Sequence, residues 1–190
     1  KPVPKTAITG KQYVTDLCKE YNSTLVVAWN KLYRRKLFEG IRYPDGRINE
    51  DEAVIHRIAH KCNKIVFTPK AYYYYRQQPT SIMNKSFSAK RFDSIFADID
   101  RIKLLEENNY ETDVVMNCKM FLYNDFVTTL KAVDLSETSN RYTAKKIHKL
   151  VKPYIRELIK WENTTKKQKR SMRIITFNPF LYVKLYKRGK

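Results

Sequence analysis

Leu25-Val26-Val27-Ala28-Trp29-Asn30-Lys31-Leu32-Tyr33-Arg34-Arg35 opens on five apolar residues, two of them β-branched, and then turns polar and basic. Five residues are too few for a buried helix, so Leu25 to Trp29 reads as a buried strand and Lys31 to Phe38 as a basic turn or short helix. Upstream, Tyr13, Val14, Leu17 and Cys18 share one helical face. Downstream, Arg42-Tyr43-Pro44-Asp45-Gly46-Arg47 is a turn, because Pro sets φ and Asp-Gly tolerates a tight reversal. A helix is predicted from Glu50 to about Asn63, its acidic first turn favouring the positive end of the dipole. Ile65-Val66-Phe67 and Ala71 to Arg76 read as two further short strands around Thr68-Pro69-Lys70, with two of Tyr72 to Tyr75 facing the core.

Beyond Ser81 the texture becomes helical. Phe92, Ile95, Phe96, Ile99, Ile102 and Leu105 repeat at helical spacing; Val115, Cys118, Leu122, Phe126, Leu130 and Val133 mark a second helix. A third carries Ile147, Leu150, Val151, Tyr154, Ile155, Leu158 and Ile159, with Pro153 expected to kink or restart it. The predicted fold is α/β over residues 1–84, followed by a mainly helical region over 85–190 that ends in a basic amphipathic tail, 164–190.

The net charge of +19 calls for an anionic partner. Residues 1–84 hold 15 basic and 7 acidic residues, whereas 164–190 hold 9 basic and none acidic, so nearly half of the excess sits in the tail. Only 4 glycines occur and none cluster, so no loop of backbone amides is available to cradle phosphates. The 3 cysteines, Cys18, Cys62 and Cys118, have no CxxC spacing, which argues against a zinc or disulfide framework and for a reducing, cytoplasmic setting. No apolar run is long enough for a membrane span, and no signal-like segment opens the chain. The start at Lys1-Pro2-Val3-Pro4, without Met, reads as that of an excised fragment.

Four motifs stand in a telling order: Trp29-Asn30-Lys31-Leu32-Tyr33-Arg34-Arg35, the Pro44-Asp45-Gly46 turn, Glu50-Asp51-Glu52, and Tyr74-Tyr75-Arg76-Gln77 with Ser81-Ile82. Over residues 25–84 the chain resembles bacterial family 2 glycosyltransferases of the GT-A type. The resemblance implies the second, acceptor-side half of a Rossmann-like GT-A domain, its nucleotide-binding half being a missing partner. It implies transfer of a sugar from a nucleotide-sugar to a cell-surface polysaccharide, teichoic acid or lipid-linked acceptor, with inversion. Asp51 matches the family's base and Glu50 its acidic neighbour. In such a transfer one carboxylate takes the proton of the acceptor hydroxyl as that oxygen attacks the anomeric carbon. A divalent metal, Mn or Mg, and cationic groups would stabilise the departing diphosphate; the metal's ligands are expected outside this sequence. Trp29 would stack on an acceptor sugar, Asn30, Lys31 and Ser81 would contact substrate, and Arg76 would meet the diphosphate with its planar fork.

Each assignment has a plainer structural alternative: helix N-terminal charge for residues 50–52, core packing for Trp29, a surface cation for Arg76. Asp98-Ile99-Asp100 matches the family's metal-binding string but falls in an amphipathic helix, where both carboxylates are expected to face solvent. His56 and His60 are four apart, yet Arg57 stands where a zinc protease needs Glu. In the tail, Lys166, Lys167, Lys169, Arg170 and Arg173 precede Phe177, Phe180 and Tyr182, a composition suited to the headgroup region of an anionic membrane and to a peripheral seat on its inner face. A nucleic-acid-binding module is the competing class, but no helix-turn-helix glycine, zinc spacing or RNP-like strand accompanies the charge. A non-catalytic interaction domain is the third.

Overall fold

In the computed structural model, which describes residues 7–19, 22–76 and 89–188, eight helices follow in order. They are α1 (Gly10–Lys19), α2 (Ser23–Val26), α3 (Glu52–His60), α4 (Asp93–Glu107), α5 (Thr112–Ala132), α6 (Thr138–Lys160), α7 (Lys166–Phe177) and α8 (Pro179–Arg188). Among the described residues no strand forms; a single antiparallel bridge joins Ile8 to Ile65, with N–H···O distances of 2.9 and 2.8 Å. The expected α/β, Rossmann-like half-domain is therefore corrected to a helical fold.

Leu25 to Trp29 shows why. The Asn22 side chain caps α2 by accepting from the Thr24 N–H at 3.1 Å, and Val27 N–H returns to the Ser23 carbonyl at 3.0 Å. A 3-10 turn, Ala28–Asn30, follows directly. A strand's backbone groups need partners distant in sequence, whereas a capped turn satisfies them within four residues. The same lack of a neighbouring ladder leaves Ala71 to Arg76 without regular structure, and Tyr72, Tyr73, Tyr74 and Tyr75 are all exposed rather than half buried in a core.

The helical region follows the apolar periodicity. α5 lies at the centre, packed against α1, α4 and α6, and Cys118, Leu122, Phe126 and Leu130 along it are fully buried. α4 contributes Ile95, Ile102 and Leu105 to the same core. It ends in a Schellman turn: Asn109 adopts φ 51°, Tyr110 N–H reaches the Leu105 carbonyl, and Asn109 N–H reaches that of Glu106. α6 continues through Pro153 as one helix. The hydrogen bond lost there is offset by full burial of Val151, Ile155 and Leu158 around it. α7 opens on a capping box, Thr165 with Gln168.

α1 crosses α3 closely at Gly10, whose N–H donates to the Cys62 carbonyl at 2.9 Å. A Cβ at this position would stand 1.9 Å from the Ala59 carbonyl oxygen and 2.5 Å from that of Cys62. Both obstacles are backbone, so the helices must part. Gly10→Ala is expected to cost about 1–3 kcal/mol in thermal or urea unfolding, the usual range for overpacking; a neutral result would show that the crossing is looser than described.

Candidate active site

Asp51 sits where the chain enters α3. The approach contains two left-handed residues, Gly46 at φ 72° and Asn49 at φ 58°, so the Pro44–Arg47 turn reverses and Asn49 redirects the backbone just before the acidic triplet. Ile48 N–H donates to the Asp93 carboxylate at 3.3 Å, tying this loop to the start of α4. Asp51 accepts from the Glu52 N–H at 2.9 Å, and its own carbonyl receives the Val54 and Ile55 N–H groups that begin the helix.

The three acids part company. Glu50 is exposed. Glu52 turns inward and binds Arg101 Nη2 at 2.5 Å, while Arg101 Nη1 reaches Asp98 at 3.3 Å; all three side chains are largely buried, Arg101 at 5% exposure. Burial opposes charge on Arg101, but the two carboxylates hold its pKa above the usual arginine value. Asp51, half-buried between these neighbours, is pushed above the ordinary carboxylate range by burial, reinforced by the charges of Glu50 and Glu52 and opposed by its backbone hydrogen bond. A carboxylate so raised is a stronger base than an exposed one.

Lys31 lies within electrostatic reach of Asp51. Its ammonium donates to the carbonyls of Thr24 at 3.0 Å and Val27 at 2.6 Å and to the Asn30 side chain at 2.8 Å, using all three protons. Burial lowers its pKa to about 8, against the pull of Asp51. Asn30 also donates to the Thr24 carbonyl at 2.8 Å, so Asn30 and Lys31 together clamp the turn that carries Trp29. Tyr33 and Tyr43 feel the same carboxylate, and burial, the larger cause, raises both phenols.

Trp29 is 41% exposed and stacks on Tyr73 and Tyr75, with ring centroids 5.1 and 4.8 Å away. The platform was illegible in sequence, where the tyrosines alternate as if along a strand. Leu32 beside it is wholly exposed. Arg76 is exposed at the end of the tyrosine run, and Ser81 lies outside the described residues.

On its other side α3 borders a groove of about 310 Å³ lined by Arg42, Arg47, Arg57 and Lys103, with Asp100 its one acid. Asp100 is committed to Arg57, through bonds of 2.6 and 2.5 Å, and to His56 at 2.8 Å; burial pushes its pKa up, but these partners together outweigh it and hold the carboxyl below the usual carboxylate range. Asp98, expected to face solvent, is buried beneath Arg101. Its helix packs on α3 over a wider arc than its large apolar residues mark, and Phe96, read as a core position, instead stands at 36% exposure under the Arg47 guanidinium.

The described residues do not fit a divalent metal. They contain no group of three or more His, Cys, Asp or Glu side chains placed to hold one, and Asp98 and Asp100 are each engaged by arginine. His56 is buried against Asp100, and His60 meets the Tyr110 hydroxyl at 2.9 Å, so the two do not converge on a common point. No helix among the described residues is long and apolar enough to cross a membrane.

No protein-family model and no solved structure matches the chain. Two curated proteins of Streptococcus pneumoniae serotype 4 (strain ATCC BAA-334 / TIGR4) do. Glycosyltransferase GlyA is 27% identical over 110 residues, covering 58% of this chain and 16% of that protein. Glycosyltransferase GlyG is 35% identical over 66 residues, covering 35% of this chain and 22% of that protein. The matched stretch thus spans less than a quarter of either relative. The chain is related in sequence to proteins named as glycosyltransferases.

Proposed function

We propose that the full-length protein containing this chain is an inverting, family 2 glycosyltransferase that moves a sugar from a nucleotide-sugar to a cell-envelope acceptor. This chain supplies the acceptor side and the base. One observation carries the reading: a half-buried carboxylate of raised pKa, Asp51, stands at the start of α3 within electrostatic reach of Lys31, and Lys31 anchors the turn that presents the Trp29 platform. Asp51 takes the proton of the acceptor hydroxyl as its oxygen bonds to the anomeric carbon, while the nucleoside diphosphate leaves from the opposite face. Glu50 adds negative charge that keeps Asp51 basic.

Trp29 offers a flat, half-open ring to an acceptor sugar, backed by Tyr73 and Tyr75. The basic groove beyond α3 favours, among the acceptor classes, one that carries phosphate: a teichoic acid or a lipid-linked saccharide rather than a neutral polysaccharide. The nucleotide-sugar, and the Mn or Mg that the family resemblance implies, are assigned to a nucleotide-binding portion outside residues 1–190, with Arg76 reaching the diphosphate from this side. The setting is the cytoplasmic face of the membrane.

Nucleotide release by the full-length protein, across a panel of nucleotide-sugars with Mn or Mg and membrane-extracted acceptors, is the direct test. Release dependent on acceptor supports the reading. Its absence with every donor, beside salt-sensitive binding of oligonucleotides, would favour a nucleic-acid module instead; its absence without such binding would favour an interaction domain. Trp29→Ala is expected to raise the acceptor KM about tenfold, on the scale of one lost aromatic contact, with little change in melting temperature because the ring is not part of the core. An unchanged KM would remove Trp29 from the acceptor site.

A further inference from the structure

The last two helices have an inner and an outer side. On the inner side Met172 and Ile175 of α7 and Val183 of α8 are buried in the main core. Phe180 and Tyr182 are also turned partly inward, with the Arg141 guanidinium 4.7 Å from the Phe180 ring and the Lys131 ammonium 5.4 Å from the Tyr182 ring. These two aromatics are therefore engaged with the bundle.

What remains outside is a different set. Phe177 is 82% exposed, Leu181 39% and Leu185 47%. Leu181, Lys184 and Leu185 recur at i, i+3 and i+4, so one stripe of α8 sets a cation between two leucines, roughly opposite buried Val183. Phe177 stands at the corner between the helices. That corner is built: the Asn178 side chain accepts from the N–H groups of Phe180 at 2.9 Å and Leu181 at 3.1 Å, which starts α8 and fixes the bend. Around this apolar edge Arg170, Arg173 and Lys184 are exposed, and residues 164–190 contain no acidic side chain.

We infer that this outer edge, with Phe177, Leu181 and Leu185 as its apolar contacts, docks α8 in the plane of an anionic bilayer. The pairing of features selects the partner. Nucleic acid would satisfy the cations but offers no apolar phase to three exposed large side chains; an apolar protein groove would have to accept a set of uncompensated cations. A bilayer with anionic headgroups meets both demands at once, the leucines entering the acyl boundary while the lysine stems lie along it and their ammonium groups stay at headgroup level. At ten residues α8 is about 15 Å long, half of what is needed to cross the hydrocarbon, so it lies flat. Docking of this kind requires no sugar-transfer activity.

The test is flotation of the full-length protein with vesicles of phosphatidylcholine alone and of phosphatidylcholine with phosphatidylglycerol. Expected is binding to the anionic vesicles that weakens as salt is raised. The combined Phe177→Ser, Leu181→Ser, Leu185→Ser variant should partition at least about tenfold less, the loss expected from removing several buried methylene equivalents. Arg173→Glu with Lys184→Glu, Arg173 one turn before Phe177 on α7 and Lys184 on the outer stripe of α8, should weaken binding while leaving the helical melting curve in place, and keeps the test valid if the serine variant unfolds. Unchanged binding of both variants would overturn the inference, as would failure of the wild type to float. Tight oligonucleotide binding through the same cations without flotation would assign the edge to nucleic acid instead.

Discussion

Asp51→Asn in the full-length protein is expected to lower sugar transfer by roughly 10²–10⁴-fold, the range that a positioned general base contributes. The helix should survive. Asn is as good as Asp at a helix start, and its amide oxygen can still accept the Glu52 N–H that Asp51 holds at 2.9 Å. Donor and acceptor binding should change little, so the loss belongs in kcat. The pH profile gives an independent reading. Burial raises the Asp51 pKa, so the wild-type rate should fall with acidification at a pH above the ordinary carboxylate range, as the base becomes protonated. In the Asn variant this acid limb should vanish from whatever activity remains. Full activity would reduce the acidic triplet to helix N-terminal charge.

Arg101→Met should be the most destabilising single change near the site, by about 3–5 kcal/mol, the usual cost of breaking a buried ion pair, and roughly 6–20 °C in melting temperature. It leaves Glu52 and Asp98 together without their cation. The pH dependence follows from Asp98, whose pKa burial pushes well above the carboxylate value while Arg101 pulls it down. Removing Arg101 removes that pull, so the folded-state pKa rises further. The folded variant then holds more protons than its unfolded chain between the two pKa values, and its stability increases as pH falls through that window. The deficit relative to wild type should therefore shrink on acidification. A deficit that stays constant with pH would mean that Asp98 is not the group left stranded. Because Glu52 adjoins Asp51, the variant should also lose transfer activity below its melting temperature, with Arg101 acting as a positioning residue.

The two variants separate what the sequence makes visible from what it hides. The helices α4, α5 and α6 are legible because their hydrogen bonds are local and their buried faces repeat at 3.6 residues. The start of α3 is legible for a similar reason, since acidic residues concentrate at the positive end of the dipole. Leu25 to Trp29 and Ala71 to Arg76 mislead: β-branched and aromatic residues express a preference for a pleated surface, yet a strand exists only if partner strands arrive from elsewhere in the chain. None does among the described residues. Asn22 and Lys31, both polar and close by, satisfy the backbone of the first stretch instead.

Asp98 misled in another way. Its position between apolar residues of α4 marks it for solvent only if a single face of the helix is covered, but α3 and α5 both pack there, and Arg101 rather than water receives the carboxylate. In the tail the sequence likewise states the charge without stating the face. Nine basic residues and no acidic one are a property of composition. That Phe180 and Tyr182 lean on the bundle while Phe177, Leu181 and Leu185 stay outside depends on the bend at Asn178 and on where α7 and α8 lodge Met172, Ile175 and Val183.

By itself, then, the sequence determined the helical C-terminal region, the acidic entry into α3 and the excess of basic charge, all of which rest on neighbours within a few residues or on composition. Only the tertiary structure decided that the apolar run at Leu25 becomes a capped turn, that Glu52 and Asp98 share a buried arginine, that Tyr73 and Tyr75 back Trp29, and which side of the tail meets its surroundings. The turn at Leu25 closes locally because no partner strand arrives, and the others are pairings between residues far apart in the chain; both outcomes are set by burial and by competition for hydrogen bonds rather than by local preference.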